Sequence, residues 1–302
     1  MKGRPTVSVI VPFAGTSQDL ERLVAALQSL ALTAGDELII ADNRLHPSAA
    51  GTTQIERGAI RVCRAGGVRA AGFARNRGAE LATGTWLVFI DADTQPTTTL
   101  VDDYFLPWPA AATAVLAGGI VDVAKGSSRA ARHTEQRRQM AQRVTLDRKG
   151  APYAQTANCA VRRCAFARLG GFNERIRFGE DADLCFRLWR DGWQLEERPA
   201  ARVRHDSRDT LCALLRQLAH HGTGAAWLNR HYPGQFPSPS PRELAGRVAR
   251  RGWGAARPLI RGELDAAEME LLDLLTESAF DLGRLLSNKA RWRRPRDGRW
   301  RA

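Results

Sequence analysis

The tripeptide Asp-Ala-Asp occurs twice in the sequence, as Asp91-Ala92-Asp93 and as Asp181-Ala182-Asp183. Two carboxylates at this spacing can bind a divalent metal ion, exchange a proton with a substrate, or cap the beginning of a helix. The surroundings of the two copies differ, because the first follows the apolar run "WLVFI" and the second follows Glu180 in a segment of helical periodicity. The two copies are therefore expected to have different roles.

The first acidic pair follows a segment with the composition of a buried strand. At the end of such a strand, Asp91 and Asp93 project from a rigid element into a loop and can converge on one ion. Their hard oxygen ligands suit Mg²⁺ or Mn²⁺, which take further ligands from water and from a substrate diphosphate. A plain turn is the alternative, since Thr94 and Pro96 follow and Asp is common in turns. The position directly after a buried strand favours the metal site.

The second acidic pair lies at the predicted beginning of a helix. Leu184 and Leu188 are four residues apart and an Asp-Gly pair provides a stop, which predicts a helix of about ten residues that begins near Glu180 or Asp181. Acidic residues at this end complement the helix dipole and accept hydrogen bonds from free N–H groups. Alternatively, one carboxylate faces a cleft and acts as a general base. Asp183 is expected to be a structural cap.

Strands and helices alternate in the N-terminal part of the chain. Apolar runs predict strands at residues 6–13, 36–43, 59–65 and 85–93, and helical spacing predicts helices at residues 16–30 and 72–84. This alternation predicts an α/β fold with a mainly parallel central sheet flanked by helices. Ligands of such sheets collect at the carboxyl ends of the strands. Asp42 ends one strand and Asp91 follows another, so both are candidates for one site.

The net charge indicates which partners the chain can bind, and the absence of two glycine-rich motifs excludes some classes of enzyme. The chain has 302 residues and a formal net charge of +13, which favours anionic partners such as nucleotides, nucleic acid or an acidic membrane surface. A solvated, arginine-rich surface is the alternative. The sequence has no GxxxxGK(S/T) loop and no well-placed GxGxxG, which argues against kinases, P-loop NTPases and dinucleotide-dependent oxidoreductases.

Cysteine usage and hydropathy indicate the compartment. The five cysteines show no CxxC spacing, which is typical of reduced thiols in the cytoplasm. No apolar run is as long as a membrane-spanning helix needs. A cytoplasmic protein is therefore predicted, with peripheral contact at the inner membrane face as the alternative.

The order of the segments matches one known family. The sequence resembles family 2 glycosyltransferases, which are inverting enzymes of the GT-A fold that use nucleotide-sugar donors. The resemblance covers residues 5–227 and rests on the segments "VSVIVPF", "ELIIADN", "AGFARNRGAELATGTWLVFIDADTQP", "NCAVRRCAFARLGGFNERIRFGEDADLCFRLWRDG" and "RVRH". It implies a GT-A fold, a UDP- or GDP-linked sugar donor, and a divalent cation, Mn²⁺ or Mg²⁺.

The resemblance implies donor-binding roles for residues at the strand ends and on the second helix. Pro12 is expected to shape the floor of the nucleotide pocket, and Asp42 to contact the base or ribose. Arg75 resembles the arginine that lies near the donor. Asp93 is expected to be the direct metal ligand, with Asp91 nearer the ribose or a metal-bound water.

The resemblance also implies the residues of the reaction centre. Asp181 matches the expected general base, with Glu180 beside it. His205 resembles a histidine that completes the metal or diphosphate site, and Arg216 matches an arginine in the following helix. A solvated surface position is the alternative for Arg75, for His205 and for Arg216.

Two departures from the family pattern refine the expected function. The second strand ends in "ADNRLHPSAAG" where many members have Asp-Asp-Gly-Ser, which predicts different ribose contacts. The chain also lacks the (Gln/Arg)-x-x-Arg-Trp segment of processive synthases, which predicts transfer of a single sugar. The acceptor is expected to be a hydroxyl of a sugar, a lipid-linked molecule or another compound. Asn76 and Gly78 are expected to position the backbone.

The C-terminal quarter predicts a second region, with a glycosyltransferase domain at residues 1–230 and an extension at residues 231–302. The segment "NRHYPGQFPSPSPREL" is typical of a linker, and residues 262–286 have the pattern of an amphipathic helix. From Lys289 onward, basic residues surround Trp292 and Trp300, which suits an anionic membrane surface. A solvated basic tail is the alternative, and nucleic acid is an unfavoured partner.

Two other classes of function compete with the glycosyltransferase. A nucleotidyltransferase can use strand-end carboxylates, but a Gly-rich loop with a signature Arg or Lys is then expected, and "VPFAGTSQD" has none. A non-catalytic protein that binds nucleotide-sugars or nucleic acid is favoured only by the basic tail. An inverting, metal-dependent glycosyltransferase is therefore the leading prediction.

Overall fold

The computed structural model describes residues 3–44, 60–124 and 126–291. Their contacts divide the chain into two compact units. The first contains the described parts of Met1–Val121, Met140–His205 and Lys289–Ala302, and the second contains those of Asp122–Gln139 and Asp206–Asn288.

An eight-stranded sheet forms the centre of the first unit. Its strands are β1 (Val7–Phe13), β2 (Glu37–Asp42), β3 (Ile60–Arg64), β4 (Trp86–Ile90), β5 (Thr94–Pro96), β6 (Thr113–Val123), β7 (Asn158–Arg162) and β8 (Gln194–Asp206). The spatial order is β3-β2-β1-β4-β7-β6-β8-β5. The pairs from β3 to β4 are parallel, whereas β7 runs antiparallel to β4 and β6, and β5 runs antiparallel to β8. The predicted α/β class is confirmed, with a mixed sheet whose first four strands are the parallel part.

Ten helices occur in the described residues. They are α1 (Ser17–Gln28), α2 (Ala71–Glu80), α3 (Leu100–Tyr104), α4 (Arg129–Arg137), α5 (Arg143–Leu146), α6 (Arg163–Arg168), α7 (Glu180–Arg190), α8 (Leu211–His231), α9 (Pro241–Ile260) and α10 (Leu264–Gly283).

The strands at the centre of the sheet are apolar on both faces because helices cover both faces. Along β1, Val9 and Val11 face the core that contains Leu27 of α1, while Ile10 faces the core that contains Leu184 of α7. The alternation of side chains along a strand thus feeds two hydrophobic layers. This three-layer packing holds the carboxyl ends of β1, β2 and β4 in fixed positions.

Helix boundaries follow local chemistry. Thr16 caps α1, since its hydroxyl accepts from the N–H of Asp19 and the Asp19 carboxylate accepts from the N–H of Thr16. Helix α2 ends at Glu80, four residues before the predicted Gly84. A Cβ at Gly84 would lie 2.5 Å from the carbonyl carbon of Val7, so the chain must already have left the helix to approach β1.

The second unit is helical, and its central contact needs glycine. Helix α10 packs against both α8 and α9. A Cβ on Gly222 of α8 would lie 1.9 Å from the carbonyl oxygen of Phe280, and one on Gly283 of α10 would lie 2.0 Å from that of Ala219. Helices α8 and α10 therefore approach closely because neither glycine carries a side chain.

The division of the chain differs from the predicted boundary at residue 230. Helix α8 ends at His231 and groups with the C-terminal helices, so the second unit begins near residue 206 and also includes α4. Residues 232–240 lie outside helices, as a linker would. Helix α10 confirms the predicted amphipathic helix at residues 262–286.

Helix α9 was not predicted. Its N-terminal signal is a capping box, in which Ser240 and Glu243 exchange hydrogen bonds and Pro241 occupies the first turn. Three glycines and one internal proline, Gly246, Gly252, Gly254 and Pro258, conceal the helical pattern.

The predicted membrane-binding tail falls mostly on residues 292–302, which lie outside the described residues. Among the described residues, no helix combines the length and the apolar character that crossing a membrane requires.

Candidate functional site

Arg75 joins the two acidic motifs. Its Nη2 donates to Asp91 Oδ1 at 2.6 Å, and its Nη1 donates to Glu180 Oε1 at 2.8 Å. The guanidinium is buried, with 3% of the side chain exposed. The strand-end motif, Asp91-Ala92-Asp93 after β4, and the acidic beginning of α7 are about ninety residues apart in sequence. Both therefore contact the same side chain, the guanidinium of Arg75.

Helix α2 carries Arg75 to this point through close packing. A Cβ at Gly78 would lie 2.6 Å from Cγ2 of Ile10, and one at Gly72 would lie 3.2 Å from Cγ of Glu180. Glycine at both positions lets α2 approach the sheet on one side and α7 on the other.

Asn76 fixes the loop that precedes α7. Its Nδ2 donates to the carbonyl of Phe172 at 2.9 Å, and its Oδ1 accepts from the N–H of Phe172 at 2.9 Å. The Phe172 ring lies 5.8 Å from the Arg75 guanidinium carbon. Gly78 and Asn76 were predicted to position the backbone. The close packing of Gly78 on Ile10 and the two hydrogen bonds of Asn76 to Phe172 are consistent with that role.

The acidic cluster at the beginning of α7 divides into distinct environments. The N-cap is Gly179, with a positive φ of 81° and no side-chain cap bond. Asp183 is buried and pairs with Arg187 at 2.9 Å, so its structural role differs from the predicted cap. Asp181 Oδ1 accepts from the N–H of Ala182 at 2.8 Å.

The pKa of Asp181 is raised. Burial is the largest cause and the neighbouring Glu180 carboxylate the second, and together they bring the pKa to about 7. Burial also raises the pKa of Glu180, although the Arg75 guanidinium opposes that shift. A carboxyl with a pKa near neutrality can take up a proton at physiological pH, which is the property expected of a general base.

His205 reaches the strand-end motif through an antiparallel strand pair. In the register of β5 and β8, Thr94 lies opposite His205. As a result, the His205 Nε2 lies 3.8 Å from Asp93 Oδ2, and the residue is 2% exposed. The solvated surface position considered for His205 is therefore wrong.

The donor set around Asp93 is small. Within the described ranges, no group of three or more His, Cys, Asp or Glu side chains is placed to hold a metal ion by itself. Carboxylate and imidazole groups are nevertheless ligands that Mn²⁺ accepts, and a nucleotide-binding Mg²⁺ or Mn²⁺ takes further ligands from phosphate and water. The pair of Asp93 and His205 fits a cation that binds together with a diphosphate.

Asp42 and Pro12 lie at the carboxyl edge of adjacent strands. Phe13, next to Pro12, is opposite Asp42 in the register of β1 and β2. Arg44 donates from Nε to Asp42 Oδ1 at 2.9 Å and from Nη2 to Asp42 Oδ2 at 2.7 Å. The guanidinium carbon of Arg44 lies 5.4 Å from the centroid of the Phe13 ring. Both carboxylate oxygens of Asp42, the predicted contact to the ribose or base, therefore accept hydrogen bonds from Arg44. This role of Arg44 was not predicted from the sequence.

Asn158 connects the strands beside the end of β4. It lies opposite Ile90, and its Nδ2 donates to the carbonyls of Gly119 at 2.9 Å and Ala201 at 2.8 Å. Its Oδ1 accepts from the Tyr104 hydroxyl at 2.6 Å. This buried amide holds β6 and β8 next to the strand-end motif, and thereby supports the strand that carries His205.

Arg216 is not part of this cluster of the first unit. It lies on α8 in the second unit, where its side chain is exposed and its Nη2 is 4.0 Å from Cys212 Sγ. Its predicted donor contact stays a prediction. The segment that departs from the family pattern, residues 45–59, lies outside the described residues.

Comparison with known proteins identifies relatives among glycosyltransferases. The chain is 27% identical over 235 residues to pre-mycofactocin glycosyltransferase of Mycobacterium tuberculosis, which covers 75% of this chain and 48% of the relative. It is 35% identical over 107 residues to N-acetylglucosaminyl-diphospho-decaprenol L-rhamnosyltransferase of the same organism, covering 33% of this chain and 34% of the relative. The chain therefore spans about half the length of the first relative and about a third of the length of the second.

Two solved structures share the fold. Mannosyltransferase PcManGT from Pyrobaculum calidifontis, in complex with GDP-Man and Mn²⁺, has a TM-score of 0.63 and 16% identity and covers 93% of this chain and 88% of that chain. GalNAc-T7 with UDP, GalNAc and Mn²⁺ has a TM-score of 0.52 and 17% identity and covers 83% of this chain and 55% of that chain.

A family model gives the assignment. The model described as glycosyl transferase family 2 matches residues 8–170, more than half of the chain. The matched residues include β1 from its second residue, all of β2 to β4, Arg75 and the Asp91-Ala92-Asp93 motif, while Glu180 and Asp181 lie beyond residue 170. The chain belongs to glycosyl transferase family 2.

Proposed function

We propose that the protein is an inverting glycosyltransferase that transfers one sugar from a nucleotide-sugar to an acceptor hydroxyl. The observation that supports this most strongly is the bridge from Asp91 through Arg75 to Glu180. Because Arg75 contacts both acidic motifs, this bridge supports a proposal in which the donor site and the general base lie close together, as a single displacement reaction needs.

The donor side of the proposed site lies at the carboxyl ends of β1, β2 and β4. Pro12 and Asp42 would contact the nucleoside, and Arg75 and Asp91 would lie near the ribose and phosphates. Support comes from the shared fold with PcManGT and GalNAc-T7, whose structures contain GDP-Man or UDP. The proposed donor is therefore UDP- or GDP-linked.

A divalent cation, Mn²⁺ or Mg²⁺, is proposed as cofactor. Asp93 and His205 would hold it, with Asp91 adjacent, and Mn²⁺ is present in both structures that share the fold. When bound, such a cation neutralises charge on the departing diphosphate.

Asp181 is the proposed general base. Arg75 neutralises Glu180 at 2.8 Å, so the carboxylate of Asp181 is the one left for a substrate. It would accept the proton of the acceptor hydroxyl while the hydroxyl oxygen forms a bond to the anomeric carbon. The bond from that carbon to the diphosphate oxygen breaks on the opposite face, and one displacement inverts the configuration.

The proposed acceptor is a hydroxyl of a sugar, a lipid-linked molecule or another compound. Contact with an anionic membrane through the basic tail after Lys289 and a cytoplasmic location remain predictions from the sequence.

The stereochemistry of the product tests the proposal. The protein is incubated with Mn²⁺, a panel of nucleotide-sugars and candidate acceptors, and the anomeric configuration of the new linkage is read by proton NMR. We expect the configuration opposite to that of the donor. A product with the donor's configuration would contradict the single displacement, and release of a nucleoside monophosphate with diphosphate would indicate nucleotidyl transfer instead.

A further inference from the structure

Helix α9 has two different faces. From residue 242 to residue 261 the sequence contains six arginines. Two of these face α10 and are neutralised there, since Arg247 donates to Asp281 at 2.7 Å and Arg251 donates to Glu277 at 2.6 Å. The inward face of α9 is thus an ordinary packed and charge-balanced helix contact.

The outward face combines arginines with large apolar side chains. Arg250, Trp253, Arg257 and Ile260 follow one another at intervals of three and four residues, which places them on one stripe of the helix. Trp253 is 65% exposed and Ile260 is 81% exposed. Arg242 precedes the stripe by two turns and continues it towards the N-terminus.

In the part of the chain that the structure describes, no carboxylate pairs with the arginines of this stripe. Over residues 3–44, 60–124 and 126–291, the side chains of Arg242, Arg250 and Arg257 have no carboxylate partner. Glu243, the acidic residue of α9, caps its N-terminus by accepting from the N–H of Ser240 at 2.7 Å. The stripe is therefore cationic and apolar together.

We propose that the outward face of α9 docks on an anionic lipid bilayer. The transfer of exposed Trp and Ile side chains from water to the interface between headgroups and acyl chains lowers the free energy. Arginines beside them can pair with lipid phosphates. The helix lies in the plane of the interface, because its other face is packed against α10. A nucleic acid would use the arginines but offers no apolar phase to Ile260, so the bilayer is the better match.

Vesicle binding of the full chain tests the proposal. Flotation with vesicles of phosphatidylglycerol and phosphatidylcholine is compared with flotation on phosphatidylcholine alone. The wild type is expected to bind the anionic vesicles. The double variant Trp253→Ser/Arg257→Gln is expected to lose at least about tenfold in partitioning, since both the apolar and the electrostatic contributions fall.

The matched control is Trp189→Ser/Arg190→Gln on α7, where Trp189 is 66% exposed beside an exposed arginine. It removes the same two residue types from another helix and should bind vesicles as the wild type does. Thermal melts of both variants show that each is folded.

Several results would overturn the proposal. Absence of wild-type binding to anionic vesicles is one, and an equal loss in both double variants is another. Light scattering that shows a dimer of the wild type and a monomer of Trp253→Ser/Arg257→Gln would assign the face to a second copy of the chain. Loss of binding to a single-stranded oligonucleotide with unchanged vesicle binding would assign it to nucleic acid.

Discussion

Among single residues, Arg75 has the most demanding environment. It is buried between Asp91 and Glu180, so its removal leaves two carboxylates close together without a counter-charge. We expect Arg75→Gln to lower the free energy of unfolding by about 3 kcal/mol, the cost typical of breaking a buried ion pair. Urea denaturation measures this change.

Arg22 is the matched control for that prediction. It forms an ion pair with Asp19 at 3.3 Å, but its side chain is 61% exposed. Arg22→Gln should change the free energy of unfolding by less than about 0.5 kcal/mol, because water and salt screen such a pair. Equal effects of the two substitutions would show that Arg75 does not bridge the two motifs.

The raised pKa of Asp181 makes stability depend on pH. A carboxyl whose pKa is higher in the folded than in the unfolded state binds more protons when folded, so its contribution to stability falls as pH rises through about 7. Asp181→Asn removes this cost. The variant should exceed the wild type in free energy of unfolding at pH 8 by at least about 1 kcal/mol, with a smaller difference at acidic pH.

Urea denaturation of both proteins at acidic and at alkaline pH checks the prediction. Asp147→Asn is the control, because Asp147 is exposed and its carboxylate lies 3.5 Å from Arg143 in an exposed ion pair. If Asp181→Asn and Asp147→Asn gave the same pH profile, the carboxyl of Asp181 would not be held in a desolvated environment.

At the level of elements, the packing of helix on helix depends on glycine. A Cβ on Gly222 would meet the backbone of Phe280 at 1.9 Å, whereas a Cβ on Gly252 of α9 would have no neighbour within 4 Å. Gly222→Ala should lower the free energy of unfolding by about 1–3 kcal/mol through overpacking. Gly252→Ala should raise it by about 0.5–1 kcal/mol, since alanine loses less backbone entropy in a helix.

Thermal melts of the two alanine variants measure this contrast within the same unit. No effect for Gly222→Ala would contradict the close packing of α8 on α10, and a decrease for Gly252→Ala would contradict the open surroundings of Gly252 on α9.

The elements also show how far sequence reasoning extends. The first four strands and helix α1 were predicted, because the apolar runs of the strands and the helical spacing of leucines in α1 are strong local signals. Helix α9 was missed, since its glycines and its proline weaken the pattern although Ser240 and Glu243 form a capping box. The Arg44–Asp42 ion pair was missed as well, because no local pattern shows which cation a strand-end carboxylate will find.

Across the whole molecule, the candidate site depends on strand pairing distant in sequence. The meeting of His205 with Asp93 follows from the antiparallel register of β5 and β8, and the contact of Arg75 with Glu180 follows from the packing of α2 beside α7. The resemblance to the family was enough to predict these residues as site candidates. The distances between them and their burial can be known only from the folded structure. Arg216 lies in the other compact unit, and sequence alone could not show that division.

The central claim is that the two Asp-Ala-Asp motifs serve two halves of one reaction. The direct test compares Asp93→Ala with Asp181→Asn in two assays, calorimetric binding of UDP or GDP with Mn²⁺ and the rate of sugar transfer. Asp93→Ala should lose Mn²⁺-dependent nucleotide binding together with transfer. Asp181→Asn should keep the binding and lose transfer by about 10²–10⁴-fold, the contribution typical of a general base. Full transfer activity in Asp181→Asn would contradict the claim.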